Sequence, residues 1–314
     1  MTGPAAVAHF GLEDEGTERV LSIAGRRYRT YYSERLIRML IQRKGLARAP
    51  LYFPFKETRG RFFLEPLFRY LAARGARNVR VLEVGCSFGH ITEYLNDQPL
   101  VGEIHSFDVD GPFVEITRLK VEELGLAKVR HVLHLTDDET TRLPFADRWF
   151  DLVLAVGVVE HLPSRHRHRF VDEYYRVLAG GGHLAVFDTP NRAFPLETHS
   201  VGLPGIQWLP PRLAYAYARL LRPARVRAGS FATFSEGAWR NASFRECLPS
   251  TGADGVMDVS EDAGYGSKFF RATARSPWRR AALPMLEALG VLLAAAGRSP
   301  SLALPYFNLV FRQR

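Results

Sequence analysis

Apolar residues recur along this chain in two different periods, and the change from one to the other divides it. Leu36, Ile37, Leu40 and Ile41 stand at the three-to-four spacing of a helix over 32–45, and Phe63, Leu67 and Leu71 mark a second helix over 62–74. Residues 1–31 are mixed and turn-rich. Short apolar runs then alternate with helical segments: runs at 79–84, 102–107, 129–135, 150–156 and 183–187, helices at 89–96, 114–124 and 167–178. Strands separated by helices predict a parallel sheet in an α/β protein. No internal repeat or low-complexity tract interrupts the pattern.

Beyond Asp188 the regularity lapses. Pro190, Pro195, Pro204, Pro210 and Pro211 break the chain into loop before a helix over 213–221, which reads as an insertion over the site. A helix over 243–248, a short strand at 255–259, a helix over 278–296 and a last strand at 306–311 follow, the two strands being suited to an antiparallel pair that closes the sheet. The segment 283–297 is apolar nearly all round, with Glu287 its one charge and Arg279, Arg280 and Arg298 flanking it. A helix of that kind belongs in a core, which is the expectation here, with a dimer interface or peripheral membrane contact as the alternatives. The organisation expected is an N-terminal helical extension (1–75), a core (76–192), a cap insertion (193–240) and a C-terminal completion of the sheet (241–314).

At 314 residues a substantial core is available. Two cysteines, Cys86 and Cys247, are too few for a disulfide framework and have no metal-ligand spacing, which suits a reducing cytosol. No basic start followed by an apolar run opens the chain, and no stretch reaches the ~20 apolar residues of a membrane span, so a cytoplasmic protein without a transmembrane segment is expected. The formal charge of +9 would suit a polyanionic partner. Its arginines are scattered in pairs, with one cluster, Arg165-His166-Arg167-His168-Arg169, and no stripe interleaved with aromatics, so a solvated basic surface is the better reading.

The chemistry begins at VLEVGCSFG, residues 81–89, where a strand ends in the acid Glu83 and enters a turn with Gly85 and Gly89 before a helix. Gly85 lets backbone approach a ligand, Gly89 lets helix pack on strand, and the helix start presents unpaired N–H groups. Asp108, nineteen residues beyond Gly89 at the end of the next strand, can accept hydrogen bonds from two ribose hydroxyls, while Asp110 is better suited to capping the helix after it. Asp137 or Asp138 follows the third strand, within reach of an adenine amino group. Asp151 precedes the fourth strand, and Glu160 and His161 lie just past it. A dinucleotide is disfavoured because Glu83 would meet a pyrophosphate as a like charge, whereas an amino-acid ammonium would welcome it.

In this ordered set the chain resembles the class I S-adenosylmethionine-dependent methyltransferases. The similarity lies in EVGCSFG, Asp108, LPFADRWFDLV, the Glu160-His161 pair and RVLAGGGHLAVFDTPNR at 176–192, with Ser87 standing where the family's middle glycine is replaced. It implies a Rossmann-like, doubly wound, mostly parallel seven-stranded sheet and S-adenosyl-L-methionine as cofactor. It further implies that Glu83, Gly85, Cys86 and Gly89 border the methionine part, Asp108 the ribose, Asp137 or Asp138 the adenine, and Val156 and Gly157 the underside of the sulfonium. The GVVEHL and TPN segments resemble the branch acting on quinones, sugars and natural products, and lack the motifs of nucleic-acid base methylation.

A hydroxyl acceptor needs its proton removed, and His161, adjacent to Glu160, is the first candidate base. His199, in the proline-bounded loop, is the second, with a gating or lining role as its alternative; His90 belongs to structure or to the cofactor's surroundings. Glu160, Asp188 and His199 combine oxygen and imidazole ligand chemistry, but their spacing is not diagnostic and no metal is assigned. The leading expectation is O-methylation of a small molecule. N- or C-methylation, methylation of RNA, and a non-catalytic cofactor-binding module are the alternatives.

Overall fold

The computed structural model describes residues 10–15, 18–23, 25–46, 48–53, 60–226, 230–273 and 277–314. Three short strands come first: β1 (Gly11–Glu15), β2 (Glu18–Ile23) and β3 (Arg26–Thr30), followed by helices α1 (Glu34–Lys44) and α2 (Arg61–Ala73). The alternation then runs β4 (Val79–Val84), α3 (His90–Asn96), β5 (Val101–Asp108), α4 (Gly111–Glu123), β6 (Val129–His134), β7 (Phe150–Val156), α5 (Arg167–Val177) and β8 (Leu178–Pro190). Helices α6 (Pro211–Leu221), α7 (Pro223–Val226) and α8 (Phe231–Glu236) precede β9 (Val256–Asp258), α9 (Ser267–Thr273), α10 (Pro277–Ala295) and β10 (Tyr306–Gln313).

The main sheet has seven strands in the order β6-β5-β4-β7-β8-β10-β9. The neighbours from β6 through β8 pair in parallel, and β10 runs antiparallel to both β8 and β9. Period-two alternation explains why both faces are buried. On β4 and β7, Leu82, Val84, Phe150, Val153 and Ala155 face a core closed by Phe170, Val171 and Tyr174 of α5. Val79, Val81, Leu152 and Leu154 face the opposite core, closed by Phe63, Leu64, Leu67 and Leu71 of α2 and by Ile91 and Leu95 of α3. The strand order turns back between β4 and β7, and such a switch point leaves a crevice at the carboxyl ends of the strands.

Three expectations need correction. Residues 11–15, 18–23 and 26–30 form an antiparallel three-stranded sheet where turn-rich chain was expected. Its strands are five or six residues long and heavily charged, so their alternation is faint in sequence. Leu21 and Ile23 pack with Leu36, Ile37 and Leu40 of α1 and Ile116 and Leu119 of α4. Cross-strand ion pairs Arg19–Asp14, Arg27–Glu13 and Arg29–Glu18, at 2.8, 3.1 and 3.2 Å, reinforce the pairing.

The apolar helix α10 is not core. Leu286 and Gly290 are buried, but Met285, Val291 and Leu292 are 67%, 68% and 66% exposed. One stripe suffices to seat it on the body, through Leu286 packed with Phe270 and Leu304, and Glu287 is held by Arg271 at 2.6 Å. The expected helix over 243–248 is a single 3-10 turn, Phe244–Cys247, closed by a capping box between Ser243 and Glu246. No described helix is long and apolar enough to cross a membrane.

Candidate functional site

A cavity of about 570 Å³ opens at the carboxyl ends of β4, β5 and β7. Its floor is the turn 85–88. Gly85 has φ +71°, and a Cβ there would lie 2.8 Å from Val158 Cγ2, so only glycine lets the two loops meet. Ser87 also takes a left-handed backbone, φ +49°, which costs a non-glycine residue about 1 kcal/mol. Two bonds hold it there: its N–H donates to Asp108 Oδ2 at 2.8 Å, and its carbonyl accepts Thr117 Oγ1 at 3.0 Å. A serine can therefore occupy the position of a glycine without changing the turn.

Glu83, Gly85, Cys86, Asp108, Asp137, Val156, Gly157, Glu160, His161 and His199 all line this cavity. Gly89 and Asp138 do not. Gly89 instead seats α3 against Thr117, 3.0 Å from where its Cβ would be, and the Asp138 carbonyl accepts Thr141 Oγ1 at 2.7 Å. Asp110 caps α4 through the Phe113 N–H, and both it and Asp108 line the cavity. Asp151 binds Arg80 through its backbone N–H at 2.9 Å and its guanidinium, tying β7 to β4 away from the cavity.

The buried Glu83 carboxylate accepts Thr92 Oγ1 at 2.5 Å and Ser106 Oγ at 2.7 Å. Burial raises its pKa to about 7 against the pull of those hydroxyls. Burial also pushes the Cys86 thiol well above its ordinary value, so it is a wall rather than a nucleophile.

The other side of the cavity gathers Glu160, His161, Asp188 and His199. His161 Nε2 lies 3.9 Å from Glu160 Oε1, and the two imidazoles meet edge to face with centroids 5.3 Å apart. Burial, with Asp188 adding to it, raises the Glu160 carboxyl to about 8. Packing in the cavity wall, then His199 and Arg167, lowers His161 to about 4. The donor atoms of Glu160, His161 and His199 lie within 4.8 Å of one another. The sequence had grouped Glu160 and His199 with Asp188; in the fold the partner is His161, because the 3-10 turn Val159–His161 brings adjacent side chains to one place.

Residues without a motif support this arrangement. The fully buried Glu197 accepts the N–H groups of His199, Ser200, Val201 and Gly202 at 2.7, 2.7, 2.7 and 2.8 Å, shaping the loop that carries His199. Arg167, 2% exposed, donates to the carbonyls of Glu160 and Leu162 at 3.1 Å each and pairs with Glu246 at 2.8 Å. The basic cluster 165–169 is thus not uniformly a surface. From the N-terminal region come Lys44 and Tyr52: Tyr52 stacks 5.8 Å from His90, and the Lys44 ammonium lies 4.7 Å from the Phe88 centroid. Their only sequence signal was a place in a segment expected to cover the site.

A family model described as a methyltransferase domain matches residues 82–186, from β4 into β8. These residues are a methyltransferase domain. The matched residues run from within β4 to within β8 of the doubly wound seven-stranded sheet. The chain is 31% identical over 36% of its length to a mouse protein named "Probable tRNA methyltransferase 9B", of which the match covers 23%. It is 30% identical over 52% of its length to a demethylmenaquinone methyltransferase of Listeria welshimeri, of which 60% is covered. A SAM dependent methyltransferase of known structure from Aquifex aeolicus aligns at TM-score 0.37 with 21% identity, over 58% of this chain and 87% of that one. The chain spans less than two thirds of these curated relatives.

The methyltransferase domain has a cavity that fits the cofactor. Gly85 admits close approach at the floor, the acids Glu83, Asp108 and Asp137 supply hydrogen-bond acceptors, and the wall of Phe88, Tyr52 and Phe113 is aromatic.

Proposed function

We propose that this chain transfers a methyl group from S-adenosylmethionine to a hydroxyl oxygen of a small molecule. One observation carries the reading: a single cavity has a nucleotide-suited half at Glu83, Asp108 and Asp137 and a proton-handling half at Glu160, His161 and His199, with Val156 and Gly157 between them. When bound, the cofactor supplies an electrophilic methyl group on a sulfonium. Glu83 faces its ammonium; Asp108, whose oxygens are aimed by the Ser87 and Asp110 N–H groups, takes the ribose; Asp137 rather than Asp138 takes the adenine. Gly85, Cys86, Val156 and Gly157 shape the space around the methionine and sulfonium, and Gly89 acts through packing.

The acceptor enters between the N-terminal segment (1–75) and the cap (193–240), and Glu160, His161 and His199 activate its hydroxyl. In its neutral form, which the lowered pKa favours, His161 offers a ring nitrogen lone pair. The likeness to a demethylmenaquinone methyltransferase supports a quinone-like acceptor.

Incubation with labelled S-adenosylmethionine and a host metabolite extract should place one labelled methyl on a small hydroxylated compound. Label on carbon or nitrogen, or on RNA, would replace this reading. RNA is the second reading, favoured by the tRNA-methyltransferase name of one relative and by the +9 charge. Retention on an RNA column that vanishes at modest salt would support it.

A further inference from the structure

We propose that Glu160, His161 and His199 form a binding site for a divalent transition-metal cation of the zinc type, placed at the acceptor side of the cavity. The proposal rests on the acceptor half described above and says how that half works. Two imidazoles and one carboxylate are the ligand set of a three-ligand catalytic zinc site, which leaves a position open; magnesium would want oxygens throughout.

The geometry is close to what an ion needs. The three donor atoms lie within 4.8 Å of one another, and Glu160 Oε1 and His161 Nε2 are 3.9 Å apart. Ligand bonds of about 2.0–2.2 Å hold donors roughly 3–3.5 Å apart, so side-chain movements under about 1 Å close the set.

A second observation points to a ligand independently. Glu160 is 2% exposed; its Oε2 accepts Thr189 Oγ1 at 3.3 Å, but its buried Oε1 has no hydrogen-bond partner among the described residues. That oxygen is the one facing His161 in the cavity. A buried carboxylate oxygen left without a donor is costly, and a cation would satisfy it.

Both ligand-bearing segments are also held from behind, as metal ligands commonly are. Arg167 fixes the carbonyls on either side of His161, and Glu197 fixes the four amides beginning at His199. Gly157 adjoins the set in the cavity, its Cβ position 3.7 Å from Glu160 Oε1. An acceptor hydroxyl oxygen bound there would ionise more readily, its proton leaving to solvent water.

Calorimetry of chelator-stripped protein with zinc chloride should show one site per chain. Glu160→Gln and His199→Ala should each weaken it at least about tenfold, while S-adenosylmethionine affinity, measured on the same samples, stays unchanged. Cobalt in place of zinc should give the intense visible absorption of a four-coordinate site, lost in either variant. Absence of stoichiometric binding, or binding that survives both substitutions, overturns the proposal. A chain that binds zinc through these residues yet fails to bind S-adenosylmethionine keeps the metal site and removes the donor reading instead.

Discussion

Glu197 accepts the main-chain N–H of His199 at 2.7 Å and three further N–H groups from the next three residues, so one buried carboxylate determines where the second cavity imidazole stands. The Glu197 carboxylate meets the main chain of His199 and not its imidazole. The link runs through backbone, which makes Glu197 a positioning residue. Glu197→Ala leaves buried amides without an acceptor and should cost about 3 kcal/mol in denaturant melts. Turnover should fall while S-adenosylmethionine affinity holds, and a parallel loss of cofactor affinity would show that the loop supports the donor half as well.

Asp108 aligns the turn as well as facing the cavity, since its two oxygens accept the N–H groups of Ser87 and Asp110 at 2.8 and 2.9 Å. Asp108→Ala should therefore weaken S-adenosylmethionine binding at least about tenfold, the loss of one charged hydrogen bond. Unchanged affinity by calorimetry would displace the ribose site from Asp108.

Glu83 supplies a pH signature. Its folded pKa of about 7 lies above its ordinary 4.5, so burial favours the protonated form and a bound ammonium favours the ionised one. Cofactor affinity should rise as pH climbs through about 7 and level off above it, and Glu83→Gln should flatten the profile. For the cofactor-free protein the sign is opposite: Glu83's stabilising contribution is full below pH 4.5 and is lost by about pH 7. Thermal melts of wild type and Glu83→Gln across that window should converge at low pH and separate at high pH.

Lys120 is a buried ammonium that joins the N-terminal sheet to the domain. Its Nζ donates to Tyr32 Oη at 2.7 Å, His90 Nδ1 at 2.8 Å and Glu93 Oε2 at 3.1 Å, with no side-chain exposure. Lys120→Met removes the ammonium that balances the buried Glu93 charge, which the Tyr31 and Tyr32 hydroxyls still contact, and should destabilise by about 3–5 kcal/mol; adding Glu93→Gln should recover part of that. A double variant no more stable than the single one would mean that packing, not charge, sets the cost.

Helix α10 allows a contrast within one turn. Leu292→Ser, on the exposed face, should change stability by less than about 0.5 kcal/mol, and Leu286→Ser, at the buried stripe, by about 2–5 kcal/mol. Equal, large losses in urea melts would restore the core reading of this helix.

The sequence by itself determined the sheet and several residues that line the cavity at its edge. Strands β4 and β7 match the apolar runs at 79–84 and 150–156 residue for residue, because strands buried on both faces must be apolar throughout and their helices must cover them. Glu83, Gly85 and Asp108 were legible because a ligand at the end of a strand constrains residues that are close in sequence. Tertiary structure decided what depends on distant segments meeting. Asp137 and Asp138 are adjacent in sequence, and only the fold puts the first on the cavity and the second off it. A charged sheet at 11–30 shows no strong period until α1 and α4 supply the surface it covers. The helix α10 has apolar residues on every side, and composition cannot say that only one stripe finds a partner. His161 and His199 are 38 residues apart in sequence, and their meeting at one buried carboxylate is the work of Arg167 and Glu197, two charges that no local pattern marks as belonging to the site.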